Sequence, residues 1–223
     1  MARYSTNQSD LVLEANFAQP AFDITAPMGM IGIHKAYIER FARFGLSAAE
    51  IVRDPNQAVL ANNSVTYNLP NVACRVKFSI TKLEISFLNL DRVTNAEAAE
   101  IATTALRIVS DLLQVRYALF GCIVNAHLSI EAADAASFLA AYVRPLPENV
   151  GVRLSTGAAY YYGAMGDRNN MSIVLDSSGA YPGAVYVRIV ENIDGANLTV
   201  EQIPARIMNT IDQVRIALDL QPA

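Results

Sequence analysis

The stretch LEISFLNL (residues 83–90), followed by DRVTN (91–95) and AEAAEIATTALRIVSDLL (96–113), decides the fold. Its first part alternates, with Leu83, Ile85 and Phe87 on one side and polar partners between them, as a half-buried strand does. Its last part changes period. Ala98, Ile101, Ala105, Ile108 and Leu112 recur at helical spacing and define one buried face. Between the two stands a start signal: Thr94 with Glu97 three residues on is the T-x-x-E capping box, in which side chains satisfy two orphan backbone N–H groups. The same grammar returns about 105 residues later. VYVRIV (185–190) is a β-branched run, Asp194-Gly195 breaks it, and Thr199 stands to Gln202 as Thr94 does to Glu97. Ile203, Ile207, Ile211, Val214 and Leu218 then follow a helical period, with Pro204 in the first turn, where a missing N–H is tolerated.

Working outward, residues 1–10 are polar and read as a flexible arm. LVLEANF (11–17) alternates as a strand, and a helix is expected over about Met30 to Phe44, with Ile33, Tyr37, Ile38, Phe41 and Phe44 as its apolar stripe and Gly45 as its left-handed stop. Ser47 to Val52 reads as one further helical turn. Ala58 to Leu90 reads as two or three strands with a turn at Pro70-Asn71. After the capped helix come a strand at Tyr117 to Leu128, a helix at Ile130 to Tyr142, and strands at Val152 to Ala164 and Met171 to Leu175 joined by a turn over Gly166 to Asn170. Each half runs strand, helix, strands, capped helix. Strands in runs, rather than in strict alternation with helices, favour an α+β fold: a mainly antiparallel sheet with helices packed on one face. The expected division is an arm over 1–10, a first α+β half over 11–114 and a second over 115–223, the two being pseudo-repeats that share one core.

The chain has 223 residues, 52% of them hydrophobic and 17% charged. The charged share lies below the roughly 25% of an average soluble protein. That scarcity suggests surface buried against another copy or a partner. A net charge of −4 and scattered basic residues disfavour a protein that holds nucleic acid through its phosphates. There is no apolar stretch of the roughly 20 residues a membrane helix needs, and the chain reads as a cytoplasmic protein. Cys74 and Cys122 each lie in an apolar run and read as buried free thiols.

The sequence carries no catalytic constellation. GMIGIHK (29–35) lacks the spacing of a phosphate loop. His127 reads as the end of a strand, donating to a neighbouring carbonyl, and a strand would hold it about 16 Å from Cys122. No metal or cofactor is implied. The most distinctive local chemistry is Tyr160-Tyr161-Tyr162, with Asp167 and Arg168 just beyond. In a strand Tyr160 and Tyr162 share one face, and tyrosine suits interfaces because it offers area with few rotors and a polar tip. The expectation is therefore a non-enzymatic, self-assembling or partner-binding module, with a protein partner or a homo-oligomer as its associate, no membrane, and nucleic acid disfavoured. The alternative is a small-molecule-binding protein or enzyme with a pocket between sheet and helices. The candidate binding residues are Tyr160, Tyr162, His34, Tyr37, Asp167 and Arg168.

Overall fold

The computed structural model describes residues 2–25, 27–54, 63–131, 133–143, 157–164 and 167–222. Along the chain these form β1 (Ala2–Phe17), α1 (Pro27–Phe41), β2 (Ile51–Asp54), β3 (Ser64–Leu69), β4 (Cys74–Ser79), β5 (Lys82–Phe87) and α2 (Asn95–Leu113). They continue as β6 (Tyr117–Ile130), α3 (Ala135–Leu139), β7 (Ala158–Tyr162), β8 (Asn170–Ser177), β9 (Val185–Asp194), α4 (Gln202–Ala217) and β10 (Leu220–Pro222). The strands build one sheet in the order β2-β3-β4-β5-β1-β6-β9-β8-β7, with β10 added alongside β1. Every pairing is antiparallel except β1 with β10. The fold is mixed helix and antiparallel sheet, as the runs of strands imply.

The long central strand begins earlier than the sequence suggests. Residues 2–10, read as an arm, belong to β1: Tyr4, Ser5 and Thr6 pair with β6, and Ala2 to Tyr4 also pair with β10. Their polarity reflects partial exposure rather than lack of structure, since backbone pairing makes no demand on side-chain hydrophobicity. A register shift between Thr6 and Gln8 then realigns the strand. Beyond it Ser9, Leu11, Leu13, Ala15 and Phe17 face inward and are buried, while the residues between them stay half-buried.

The same alternation runs through β3, β4, β5, β6 and β9, whose inward residues form one core with the helices. Tyr37 of α1 stacks on the inward Tyr67 of β3 and reaches the backbone of α2. The Leu11, Leu13 and Phe87 side of the sheet faces Ala98 and Ala102 of α2 and Ile207 of α4. Tyr142, just past α3, donates to the carbonyl of Leu218 at the end of α4. The helices thus lie on the inner face, while the outward residues of β1, β5 and β9 stay half-buried or exposed.

Local deviations have local causes. The first helix ends in a 3-10 turn at Ala42–Phe44 and stops at Gly45, whose φ of 90° is left-handed and where a Cβ would meet Pro70 Cγ at 2.9 Å. Ala48–Glu50 forms a 3-10 turn as expected, but Ile51 and Val52 open β2 instead of continuing it. The second-half helix is shorter than the expected span from Ile130 to Tyr142: β6 continues to Ile130, and Asp134 caps α3 by accepting from Ser137 N at 2.8 Å. Of the strand expected from Val152, residues 152–156 lie outside the described residues, as does Gly166 of the expected turn. In α2 the buried stripe follows Leu106 and Val109, and Leu112 is exposed.

The two start signals differ. At α2 the box is complete: Thr94 Oγ1 accepts from Glu97 N at 3.2 Å, and Glu97 Oε2 accepts from Thr94 N at 2.9 Å. At α4 half of it is made. Gln202 Oε1 accepts from Thr199 N at 2.8 Å, but the Thr199 hydroxyl binds the Glu201 carboxylate. That bond, followed by a backbone N–H and by Arg107, takes the Glu201 carboxyl down to about 2. Thr94→Ala therefore loses an N-cap acceptor and is expected to cost about 1 kcal/mol. Thr199→Ala is expected to cost much less, and urea midpoints that fall equally for the two variants would show that both hydroxyls cap.

Candidate functional site

The outer face of the sheet carries an ordered patch of polar and aromatic side chains. Register sets it out in rows. Gln8, His127, Tyr186 and Asp176 lie side by side across β1, β6, β9 and β8, and Asp10, Asn125, Arg188 and Val174 form the next row. Beyond them Val12, Ile123 and Val190 make a short apolar strip.

Hydrogen bonds fix the side chains of this patch. Asn125 Nδ2 donates to Asp10 Oδ2 at 2.8 Å, and Tyr186 donates its hydroxyl to Asn125 Oδ1 at 2.7 Å. Both ends of the amide are engaged, so its orientation is set. Burial lifts the Tyr186 hydroxyl above the ordinary phenol range, with Arg188 working against the rise and Asp10 adding to it. The phenol accordingly stays protonated and remains a donor. Tyr181 donates to Gln8 Oε1 at 3.1 Å. His127 lies between the two tyrosines, with ring centroids 5.2 Å from Tyr181 and 5.1 Å from Tyr186.

The partner of His127 is Ser178, in the turn between β8 and β9, at 2.8 Å from Nδ1. Ser178 Oγ already accepts from the backbone N–H of Ala180 and of Tyr181. A hydroxyl with both lone pairs engaged has its proton to give, so Nδ1 accepts it and Nε2 carries the imidazole hydrogen. His127 is therefore neither a strand end nor a donor to a carbonyl. It sits within β6 on the outer face, held by a turn 51 residues away. Serine and histidine here do not form a nucleophile and base, because the serine oxygen is committed to the turn.

The charges on this face divide into two kinds. Lys82 lies 2.5 Å from Glu14 and 3.5 Å from Glu84. Burial opposes its charge, yet Glu14 and then Glu84 raise its pKa overall. With one lysine between two glutamates, that cluster keeps a net charge of −1 and offers no positive charge to solvent. Arg75, Lys77 and Arg188 are exposed and offer positive charge to solvent. Among the described residues no three or more His, Cys, Asp or Glu side chains converge to hold a metal ion.

The six expected site residues fall in different places. His34 and Tyr37 are on α1, against β3 near one edge of the sheet, whereas Tyr160 and Tyr162 are on β7 at the opposite edge. The two pairs thus lie at opposite ends of the sheet. Tyr37 is fully buried, stacked on Tyr67 at 4.2 Å between centroids, and donates to the carbonyl of Ala105 at 3.2 Å. His34 Nδ1 meets the Tyr67 hydroxyl at 2.9 Å. Both are pins between helix and sheet. Tyr160 faces inward and donates to Tyr142 O, Tyr161 projects outward 81% exposed, and Tyr162 borders a hollow beside α4. Asp167 caps its own turn by accepting from Asn169 N, and Arg168 is exposed beside it.

No protein-family model matches the chain, and no curated protein matches it. Among solved structures it is similar to the rolling circle replication initiator protein from Geobacillus stearothermophilus, at a TM-score of 0.37 and 10% identity, over 92% of this chain and 80% of that one. The expectations of a non-enzymatic self-assembling or partner-binding module, and of partners that set nucleic acid aside, do not agree with the name of that neighbour and are not carried further. Both are corrected here. The buried apolar residues form one core, while Phe22, Ile31, Val52, Leu88, Leu112 and Ile216 remain exposed. No described helix is long and apolar enough to cross a membrane.

The His34 pin carries a pH dependence. Burial, and then the charge of Arg53, lower its pKa below the ordinary imidazole value, so the folded protein binds this proton less readily than the unfolded chain. A depressed histidine contributes stability that is present above pH ~6.5 and is lost as pH falls through and below that value. Denaturation midpoints are expected to drop between about pH 7 and pH 5, and His34→Gln to flatten that part of the curve. An unchanged slope in the variant would place the titrating group elsewhere.

Proposed function

We propose that the protein binds single-stranded nucleic acid across the outer face of its sheet. The observation that supports this reading most is the aromatic and amide patch of His127, Tyr181, Tyr186 and Asn125 on the outer sheet face, where all four side chains stay only half-buried. Exposed antiparallel sheets whose aromatic side chains stack on unpaired bases are a recurring way of holding single strands. Amide side chains beside the rings supply hydrogen bonds to base edges. The preset orientation of Asn125 means that little ordering is left to be done on binding.

The acidic net charge shapes the expected energetics. Arg75, Lys77 and Arg188 can neutralise about three phosphates, which for a single strand gives a slope of about −2 in log K against log salt. Stacking contributes about 1–3 kcal/mol per base and is insensitive to salt. The test is fluorescence anisotropy with labelled single-stranded DNA and RNA oligonucleotides over a range of salt. Saturable binding with a shallow salt slope is expected, with Tyr186→Ala weakening it by about tenfold or more and Arg188→Ala flattening the slope. Absence of binding at low salt, or full affinity in Tyr186→Ala, would overturn the reading.

The division of the chain into two related halves belongs to the same proposal. From the central pair outward, the order is β1, β5, β4, β3 on one side and β6, β9, β8, β7 on the other, with α2 and α4 following β5 and β9. That order supports an internal duplication in which each half supplies part of the binding face. Superposition of residues 11–114 on 117–220 in a crystal structure is the measurement, and opposed strand directions would end the idea.

A further inference from the structure

We propose that a second site, on the inner side of the sheet, binds a small zwitterion carrying an ammonium and a carboxylate. The site is a cavity of about 460 Å³ between β8, β9 and α4. It is separate from the outer face and does not depend on the nucleic-acid reading.

Its chemistry centres on Glu191. This residue occupies an inward position of β9 between Ile189 and Ile193, where the pattern of the strand calls for an apolar side chain. Its side chain is 8% exposed and lines the cavity. Oε1 accepts from Arg206 Nε at 3.0 Å. Oε2 is closed to solvent and has no hydrogen-bond partner among the described residues. A buried, unpartnered carboxylate oxygen is a rare and costly feature of a native fold, and a donor in the hollow satisfies it once a turn of the side chain brings Oε2 to the opening. An ammonium group is the strongest such donor, because the bond is charge-assisted.

Arg206 determines what else the ligand must carry. A simple cation placed beside Glu191 would be repelled by the guanidinium 3.0 Å away. The closest contact with Glu191 runs through Nε, and the two terminal nitrogens of Arg206 are the groups assigned to an acceptor. Those nitrogens form a fork that matches a carboxylate. A molecule bearing both groups a few bonds apart meets the ion pair with its own charges reversed. The remaining wall suits the body of an amino acid: Met171, Ile173 and Val214 supply apolar surface, Asn209 and Gln213 supply amides, and Tyr162 borders the opening.

The test uses the full chain and the free amino acids. Each of the twenty is screened at millimolar concentration by thermal shift, and those that raise the midpoint are titrated calorimetrically. At least one is expected to bind saturably. Its N-acetyl and carboxamide derivatives, which remove the ammonium and the carboxylate in turn, are each expected to bind at least tenfold more weakly. Glu191→Gln keeps the shape and is expected to lose binding by a similar factor. Glu191→Met removes the orphaned oxygen, so it is expected to raise the unliganded melting temperature while abolishing the ligand response. A merely structural carboxylate would not give that pairing. Failure of all twenty to bind, equal binding of the N-acetyl derivative, or unchanged affinity in Glu191→Gln would each overturn the proposal. A positive oligonucleotide result alongside any of these failures would leave the outer-face reading intact.

Discussion

The structure depends on the pairing of β1 with β6. These are the longest strands, and their antiparallel register runs from Tyr4 opposite Ile130 to Phe17 opposite Tyr117. The sheet extends outward from this pair, β5 to β2 on one side and β9 to β7 on the other, and β10 pairs with the amino-terminal end of β1. A one-residue slip here would reverse the faces of one strand relative to the other, carrying either Leu11 and Leu13 or Cys122 and Val124 out of the core. The inner residues hold the register because they are buried. The outer ones hold it through specific bonds, above all Asn125 to Asp10.

The two faces then serve different ends. The inner face is hydrophobic and meets the helices through shape, with tyrosines reaching out of the core to helix carbonyls: Tyr37 to Ala105 and Tyr117 to Leu106. Each of these lets a large ring fill space without leaving its hydroxyl unpaired. The outer face is half-buried by the closeness of neighbouring strands, and its side chains are tied into a network that fixes their positions. Against that order Glu191 stands out, a carboxylate on the wrong face with one oxygen unmatched. Sites that break the local rule of their element are where function is most often found.

Much of the fold is legible in the sequence because it follows from local periodicity. LEISFLNL, the capped helix after it, and VYVRIV all announce themselves by spacing, and so does the stop at Gly45. The amino-terminal end of β1 is not legible, since its side chains are polar and its pairing partners lie more than a hundred residues away. The candidate site is almost wholly illegible for the same reason. His127 and Ser178 are 51 residues apart, Asn125 and Asp10 are 115 apart, and Tyr181 and Gln8 are 173 apart. The Tyr160 to Tyr162 run draws the eye by composition, yet its members point in two directions and do different things. The signal that does exist is subtler: alternation in NAHLS (125–129) places Asn125 and His127 together on the polar side of a strand, and VYVRIVEN (185–192) has a glutamate where its inward-facing positions are otherwise apolar.

The two cysteines turn the architecture into something that can be timed. Both are free and buried, and burial raises both thiols, Cys122 to about 12, so neither offers a thiolate to a reagent in the closed fold. Cys74 is in β4, next to β5, and Cys122 is in β6 at the centre of the sheet. A thiol label can attach to either once its strand has parted from its neighbours. The molecule thus carries two independent clocks, one for the opening of the β3–β5 side of its sheet and one for the parting of its central seam, and the difference between their rates is a direct reading of whether the sheet comes apart as a single unit or in pieces.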